Sequence, residues 1–192
     1  ISENGEALSR AMSDDFGNRA MRQSMLTDIA ATVSAGKHSL KHIDKWVKPE
    51  RRKVQFPLGL MGAKAELRFE AKGIVGILSP WNFPVQLAYG PLMQVLAAGN
   101  RSMIKPSEFT PATSEVLAEM IAEAYDPKEV ALFTGGPEVG QAFSSLPFDH
   151  LFFTGSTKVG RIVMKAAAEN LTPVTLELGG KSPALVHPSF PV

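Results

Sequence analysis

No cysteine occurs in the 192 residues. Its absence excludes disulfide frameworks, thiolate metal sites and a cysteine nucleophile within this chain. An excess of charge is missing too: 20 Lys and Arg stand against 19 Asp and Glu, for a formal net charge of +1. Nucleic-acid binders show a basic excess or stripe, so no nucleic-acid partner is expected. What surplus of base there is lies early, with 13 basic and 9 acidic side chains in 1–72 against 7 and 10 in 73–192. The cluster from Lys41 to Lys53 has Asp44 and Glu50 interleaved and reads as a solvated helix end leading into a hairpin. Long apolar runs are lacking. The stretch from Gly73 to Leu78 falls far short of the ~20 residues that span a bilayer, so a membrane partner is not expected. The polar opening, Ile1 to Glu6, has no secretory pattern; a cytoplasmic location is expected, and a first residue of Ile implies that something precedes it. The four histidines, at 38, 42, 150 and 187, come with no carboxylate at a metal-ligand spacing, and no metal site is expected. The rest is the composition of a folded chain, 44% hydrophobic and 20% charged, of a length for one domain or one and part of another.

Two helices are expected at the start, over 14–36 and 37–48. Phe16, Ala20, Met21, Leu26 with Met25, Ile29 and Val33 recur at steps of three and four as an apolar stripe, Gly36 reads as a stop, and Pro49 ends the second helix. Val54 and Phe56, then Ala65, Leu67 and Phe69, alternate with polar residues, predicting an antiparallel ribbon looped through 57–64. Such a ribbon suits bridging to another subunit. From Gly73 the texture changes to short apolar runs alternating with helical patterns: strands over 73–79, 101–105, 129–133, 149–153, 172–178 and 183–187, and helices over 86–98, 111–125, 137–146 and 156–169. Strands without polar alternation are buried on both faces, as in parallel sheets covered by helices. Thr110-Pro111 reads as an N-cap followed by Pro at the first helical position. In the last helix Val159, Ile162, Val163, Ala166 and Ala167 form the expected inner face. The fold class is therefore α/β, a doubly wound, mostly parallel Rossmann-like sheet with N-terminal helices and an antiparallel β-ribbon. The division is 1–50 helices, 51–72 ribbon and 73–192 nucleotide-binding domain.

In such a sheet ligands bind beyond the carboxyl ends of the strands, and all of the first five strands run there into a polar residue set among Gly or Pro. Gly155 to Gly160 is a glycine-bounded entry to a helix, suited to a phosphate on free N–H groups with Ser156 adding a hydroxyl, or else a plain N-cap. Lys105 and Glu108 suit the vicinal hydroxyls of a ribose, or else form a surface ion pair. Asn82, between Pro80 and Pro84, is either a rigid amide donor for a developing oxyanion or the cap of the helix from Phe83. Glu177, in an apolar strand end, is either a carboxylate made more basic by burial or the partner of Lys181.

Taken together, these segments resemble the aldehyde dehydrogenase superfamily. Its motifs run in order: Pro80-Trp81-Asn82-Phe83-Pro84, Gly99-Asn100 with Lys105-Pro106-Ser107-Glu108, Phe153 to Gly160, and Leu176 to Pro183. The resemblance is to the class 3, fatty-aldehyde and coniferyl-aldehyde branch. It implies NAD(P)-dependent oxidation of a small-molecule aldehyde, through attack by a cysteine thiolate and hydrolysis of the resulting thioester. In this chain it implies Asn82 as the oxyanion donor and Glu177 as the general base. Trp81, Lys105, Ser107, Glu108, Gly136, Pro137, Gly155, Ser156, Val159, Gly160, Leu178 and Gly179 are implied on the cofactor: Lys105 and Glu108 at the adenosine ribose, Ser156 and its glycines at the pyrophosphate, Gly136-Pro137 and Val159 at adenine, Leu178 at the nicotinamide. Glu108 favours NAD over NADP. A homodimer through the ribbon is implied for the complete protein. The family's cysteine lies downstream of the Glu177 motif, so the expectation is an amino-terminal fragment, inactive by itself. A stand-alone nucleotide-binding or assembly module is the alternative.

Overall fold

The computed structural model describes residues 1–190. The chain opens with α1 (Gly5–Phe16), whose Leu8, Ala11 and Met12 point inward at steps of three and four. A left-handed pair, Gly17 at φ 61° and Asn18 at φ 88°, closes it, with Asn18 N–H on the Ser13 carbonyl and Gly17 N–H on that of Asp14. The first helix thus begins nine residues before the expected 14 and breaks where a continuous helix was expected. A second helical rod follows, as α2 (Met21–Ser24), a π-helical turn (Met25–Ala30) and α3 (Ala31–Trp46).

Gly36 does not stop this rod. A Cβ built there would lie 2.6 Å from Met93 Sδ, so the glycine makes room for Met93 of the later helix Gln86–Ala97. The apolar stripe is also corrected. Leu26 is 70% exposed and Met21 and Met25 face solvent, whereas Ser24, Asp28, Thr32 and Ser39 are buried beside Ile29. The inversion holds because most of the buried polar groups are partnered: Asp28 by Arg19, the Thr32 hydroxyl on the Asp28 carbonyl, and Ser39 by the Gln94 amide at 2.7 Å.

The ribbon is present but short, with β1 (Glu50–Arg52) antiparallel to β2 (Ala65–Leu67) and Arg51 opposite Glu66. Val54 and Phe56 lie outside it, in a linking segment that carries a 3₁₀ turn at Leu58–Met61 and exposes Phe56, Leu60 and Met61.

The main sheet is made of β3 (Ile74–Leu78), β4 (Arg101–Lys105), β5 (Val130–Leu132), β6 (His150–Gly155) and β7 (Val174–Leu178), all parallel, in the order β5-β4-β3-β6-β7. The crossovers are α4 (Gln86–Ala97), α5 (Pro111–Ala124), α6 (Pro137–Ser144) and α7 (Thr157–Ala168). On one face Val75, Ile77 and Ile104 pack with α1, α4 and α5 through Leu8, Met12, Leu92 and Leu117. On the other, Leu151 and Phe153 pack with α6 and α7 through Phe143 and Val163. This is the expected α/β sheet. The segment 183–187, expected as a strand, joins no sheet, and Leu185 is 97% exposed. Val159 and Ile162 of α7 face outward, leaving Gly160, Val163 and Ala167 as its buried face.

Thr110 occupies the N-cap position of α5 without capping it. Asp15, at the end of α1, does so from a distance: its carboxylate accepts from Ala112 N–H at 3.0 Å, Thr113 N–H at 2.8 Å and the Thr113 hydroxyl at 2.6 Å. The N-terminal helices are thereby fastened to the sheet's own crossover. Asn100 closes the entry to β3 in a similar way, its Oδ1 accepting from Lys72 and Gly73 N–H.

Candidate functional site

Because β3 to β7 are parallel, every loop that follows a strand opens on the same edge of the sheet. The chain runs outward from β3 through β4 to β5 and then crosses back to β6 on the other side of β3, so the crevice between the ends of β3 and β6 is the topological switch point. A cleft of about 690 Å³ opens there. Trp81, Asn82, Gly155, Ser156, Glu177, Leu178 and Gly179 all line it, with Phe152 and Thr154 of β6. Seven of the residues picked from sequence are thus brought to one cavity from the ends of three separate strands.

The others lie along the same rim outside the cleft. Lys105 ends β4 with its side chain buried and its Nζ 3.0 Å from Glu108 Oε2. The pair is not on the open surface: the Lys105 side chain is 5% exposed and that of Glu108 33%. Burial pushes the Glu108 carboxyl upward, but its own backbone N–H and the Lys105 ammonium, by hydrogen bond and by charge, outweigh it and hold the group below the ordinary range. The Ser107 hydroxyl accepts from Phe109 N–H and shapes the turn. Gly136 and Pro137 stand at the N-cap and first position of α6, after β5. Val159 lies exposed in the first turn of α7, and Gly160 lets that helix approach the sheet edge, since a Cβ there would lie 2.8 Å from Leu178 Cδ2.

Ser156 is the N-cap of α7, its Oγ accepting from Val159 N–H at 3.3 Å. The cap and the phosphate reading are compatible, because accepting a bond leaves the hydroxyl proton free to donate toward the cleft. Glu177 departs from expectation. It is exposed near the end of β7, the edge strand, instead of buried, and among the described residues it forms no ion pair with Lys181. In the ladder it lies opposite Thr154, whose Oγ1 is buried without a partner.

Asn82 is exposed and does not cap the following helix. The N-cap position of α4 is Val85, and the Gln86 N–H is instead taken by Asp28 Oδ1 at 3.2 Å. What holds the Asn82 turn was missed in the sequence. Arg19 Nη1 donates to the Asn82 carbonyl at 3.1 Å while Nη2 meets Asp28 Oδ2 at 2.6 Å. The guanidinium lies over the rings of Phe16 and Phe83 at 4.9 and 5.5 Å, and Phe16 contacts Trp81 with ring centroids 6.0 Å apart. Asp28 is completely buried. That burial raises its carboxyl above the usual range, opposed by the Gln86 N–H, by Arg19 and by the Val85 N–H. The available signal was an Asp next to Ile29 inside a helix with no neighbouring Lys or Arg, a carboxylate that needs a distant cation if buried.

Residues 1–191 match the aldehyde dehydrogenase family. A probable coniferyl aldehyde dehydrogenase of Caulobacter vibrioides is 58% identical over 180 residues, which is 93% of this chain and 37% of that protein. Among solved structures, the substrate-bound state of Staphylococcus aureus AldH superposes with a TM-score of 0.81 at 40% identity, covering 94% of this chain and 41% of that one. PnpE in complex with nicotinamide adenine dinucleotide superposes with a TM-score of 0.82 at 31% identity, over 94% of this chain and 36% of that one. The chain thus spans well under half the length of the proteins it matches. Among its described residues no helix is long and apolar enough to cross a membrane.

Proposed function

Because this chain belongs to the aldehyde dehydrogenase family, we propose that it supplies the coenzyme-binding part, the oxyanion donor and the water-activating carboxylate of a protein that oxidises an aldehyde to a carboxylic acid with NAD(P). The observation that carries this reading is the convergence of Asn82, Ser156 and Glu177 on the one cleft at the switch point. The chain's own groups suit a dinucleotide. Ser156 has a hydroxyl proton to spare beside the free N–H groups of α7, and Lys105 with Glu108 presents a cation and an ionised acceptor at the same rim. Bound NAD(P) supplies the hydride acceptor.

Residues 73–192 act as the coenzyme domain. Lys105 and Glu108 hold the adenosine ribose, with Ser107 shaping that turn; Ser156, between Gly155 and Gly160, holds the pyrophosphate; Gly136, Pro137 and Val159 flank the adenine; and Trp81, Leu178 and Gly179 border the nicotinamide end. Asn82 donates its amide N–H to the aldehyde oxygen as that oxygen gains charge. A cysteine from sequence outside these 192 residues, which hold none, provides the thiolate. Glu177 takes a proton from the water that cleaves the thioester, and acid and thiolate are released. The ionised Glu108 repels a 2′-phosphate, so NAD is preferred to NADP. The substrate is an aromatic or fatty aldehyde, a choice supported by the coniferyl name of the relative at 58% identity. The ribbon, with its exposed apolar linking segment, joins two copies of the complete protein.

The test is NADH formation from coniferyl aldehyde by the complete protein. Turnover is expected, falling by about 100-fold in Asn82→Ala, the scale of a lost oxyanion donor. NAD binding without turnover would leave the module reading standing instead. The 192-residue chain alone is expected to produce no NADH.

A further inference from the structure

The Arg19–Asp28 pair is an expensive arrangement to find beneath a surface turn. The two side chains are 6% and 0% exposed, and Arg19 Nε is buried with no acceptor. A buried ion pair rarely improves on well-packed apolar residues as a source of stability, so its value has to be sought in what it fixes. It fixes both ends of the turn that carries Asn82. Arg19 Nη1 takes the Asn82 carbonyl, Asp28 Oδ1 takes the Gln86 N–H at the start of α4, and the two side chains are joined to each other at 2.6 Å. Thr27 Oγ1 accepts a further bond from Arg19 Nη2 at 3.2 Å. The guanidinium carbon also lies over the rings of Phe16 and of Phe83, the neighbour of Asn82.

Holding the carbonyl of residue 82 orients the peptide plane that follows it, and with the flanking prolines this limits the directions open to the Asn82 side chain. We infer that Arg19, held in place by Asp28, is a positioning residue that aims the Asn82 amide into the cleft. The inference rests on the proposed role of Asn82. It requires a planar group with two separate nitrogens, one for Asp28 and one for the Asn82 carbonyl; a lysine at 19 keeps the charge but provides a single nitrogen.

The test is a double-mutant cycle in the complete protein, reading kcat and KM for the aldehyde, the dissociation constant for NAD, and the thermal midpoint. Arg19→Lys is expected to lower kcat by about 10-fold or more, the scale of a slightly misplaced catalytic group, with NAD affinity unchanged. In an Asn82→Ala background the same change is expected to lower kcat no further, because there is no amide left to aim. Should Arg19→Lys fail to fold, Asp28→Asn, which keeps an acceptor for the Gln86 N–H, gives the same cycle. A kcat unchanged by Arg19→Lys, or lowered equally with and without Asn82, overturns the inference while leaving the role of Asn82 intact. An Asn82→Ala variant as active as the wild type removes the proposed role of Asn82 and this inference with it.

Discussion

At the scale of single residues, the rim is built from charges and amides whose settings differ from what their neighbours in sequence suggest. Glu108 has its carboxyl held below the ordinary 4.5 despite burial, through its own N–H and through Lys105. The folded state therefore binds a proton there less readily than the unfolded chain does. The stability that results is complete above about pH 4.5 and is lost as the pH falls below it. Glu108→Gln is expected to be less stable than the wild type near neutrality, with the gap closing in acid, as measured by urea unfolding at several pH values. A gap that widens as pH falls contradicts the assignment. The same substitution in the complete protein is expected to narrow the proposed preference for NAD over NADP in kcat/KM. Glu177 shows where reading residues one by one falls short. Its apolar neighbours in sequence suggested burial, but they alternate across β7, and β7 is an edge strand; exposure there is set by what lies beyond the strand, which no local pattern encodes.

At the scale of elements, the parallel strands and their crossovers were legible from local signals: apolar runs for the strands covered on both faces, and Pro at the first position of α5. The N-terminal rod was read only in part: Ile29 of its apolar stripe is buried, but its other buried side chains are small and polar, with Thr32 satisfied by its own helix, Asp28 by Arg19 and Ser39 by Gln94, 55 residues away. The cap of α5 was misassigned for the same reason. Asp15 supplies it, from 97 residues away. Asp15→Ala is expected to cost ~1–2 kcal/mol, the usual worth of an N-cap, read as a shift of the urea midpoint; Thr110→Ala, which keeps the Asp15 cap, is expected to cost less. Gly36 makes a second test. The atom a Cβ would meet is the thioether of Met93, a flexible side chain, so Gly36→Ala is expected to be nearly neutral. Gly36→Val forces α3 from α4 and is expected to cost ~1–3 kcal/mol, as overpacking does. Equal stabilities for the valine and alanine variants contradict the close approach.

At the scale of the whole molecule, parallel topology alone brings the loops after all five strands to one edge, and the reversal of strand order at β3 opens the cleft among them. The family was legible from motifs at those strand ends, because each motif is contiguous in sequence; the Arg19 and Asp28 network behind the rim was not, because it reaches residues 63 and 58 positions away. The central claim is that this one rim both holds the coenzyme and directs the chemistry. The most direct measurement is a rapid-mixing trace of NADH formation by the complete protein carrying Glu177→Gln. A burst of about one NADH per site followed by a stall is the result the account requires: binding, oxyanion formation and hydride transfer intact, and thioester hydrolysis lost. Steady turnover at the wild-type rate would contradict it.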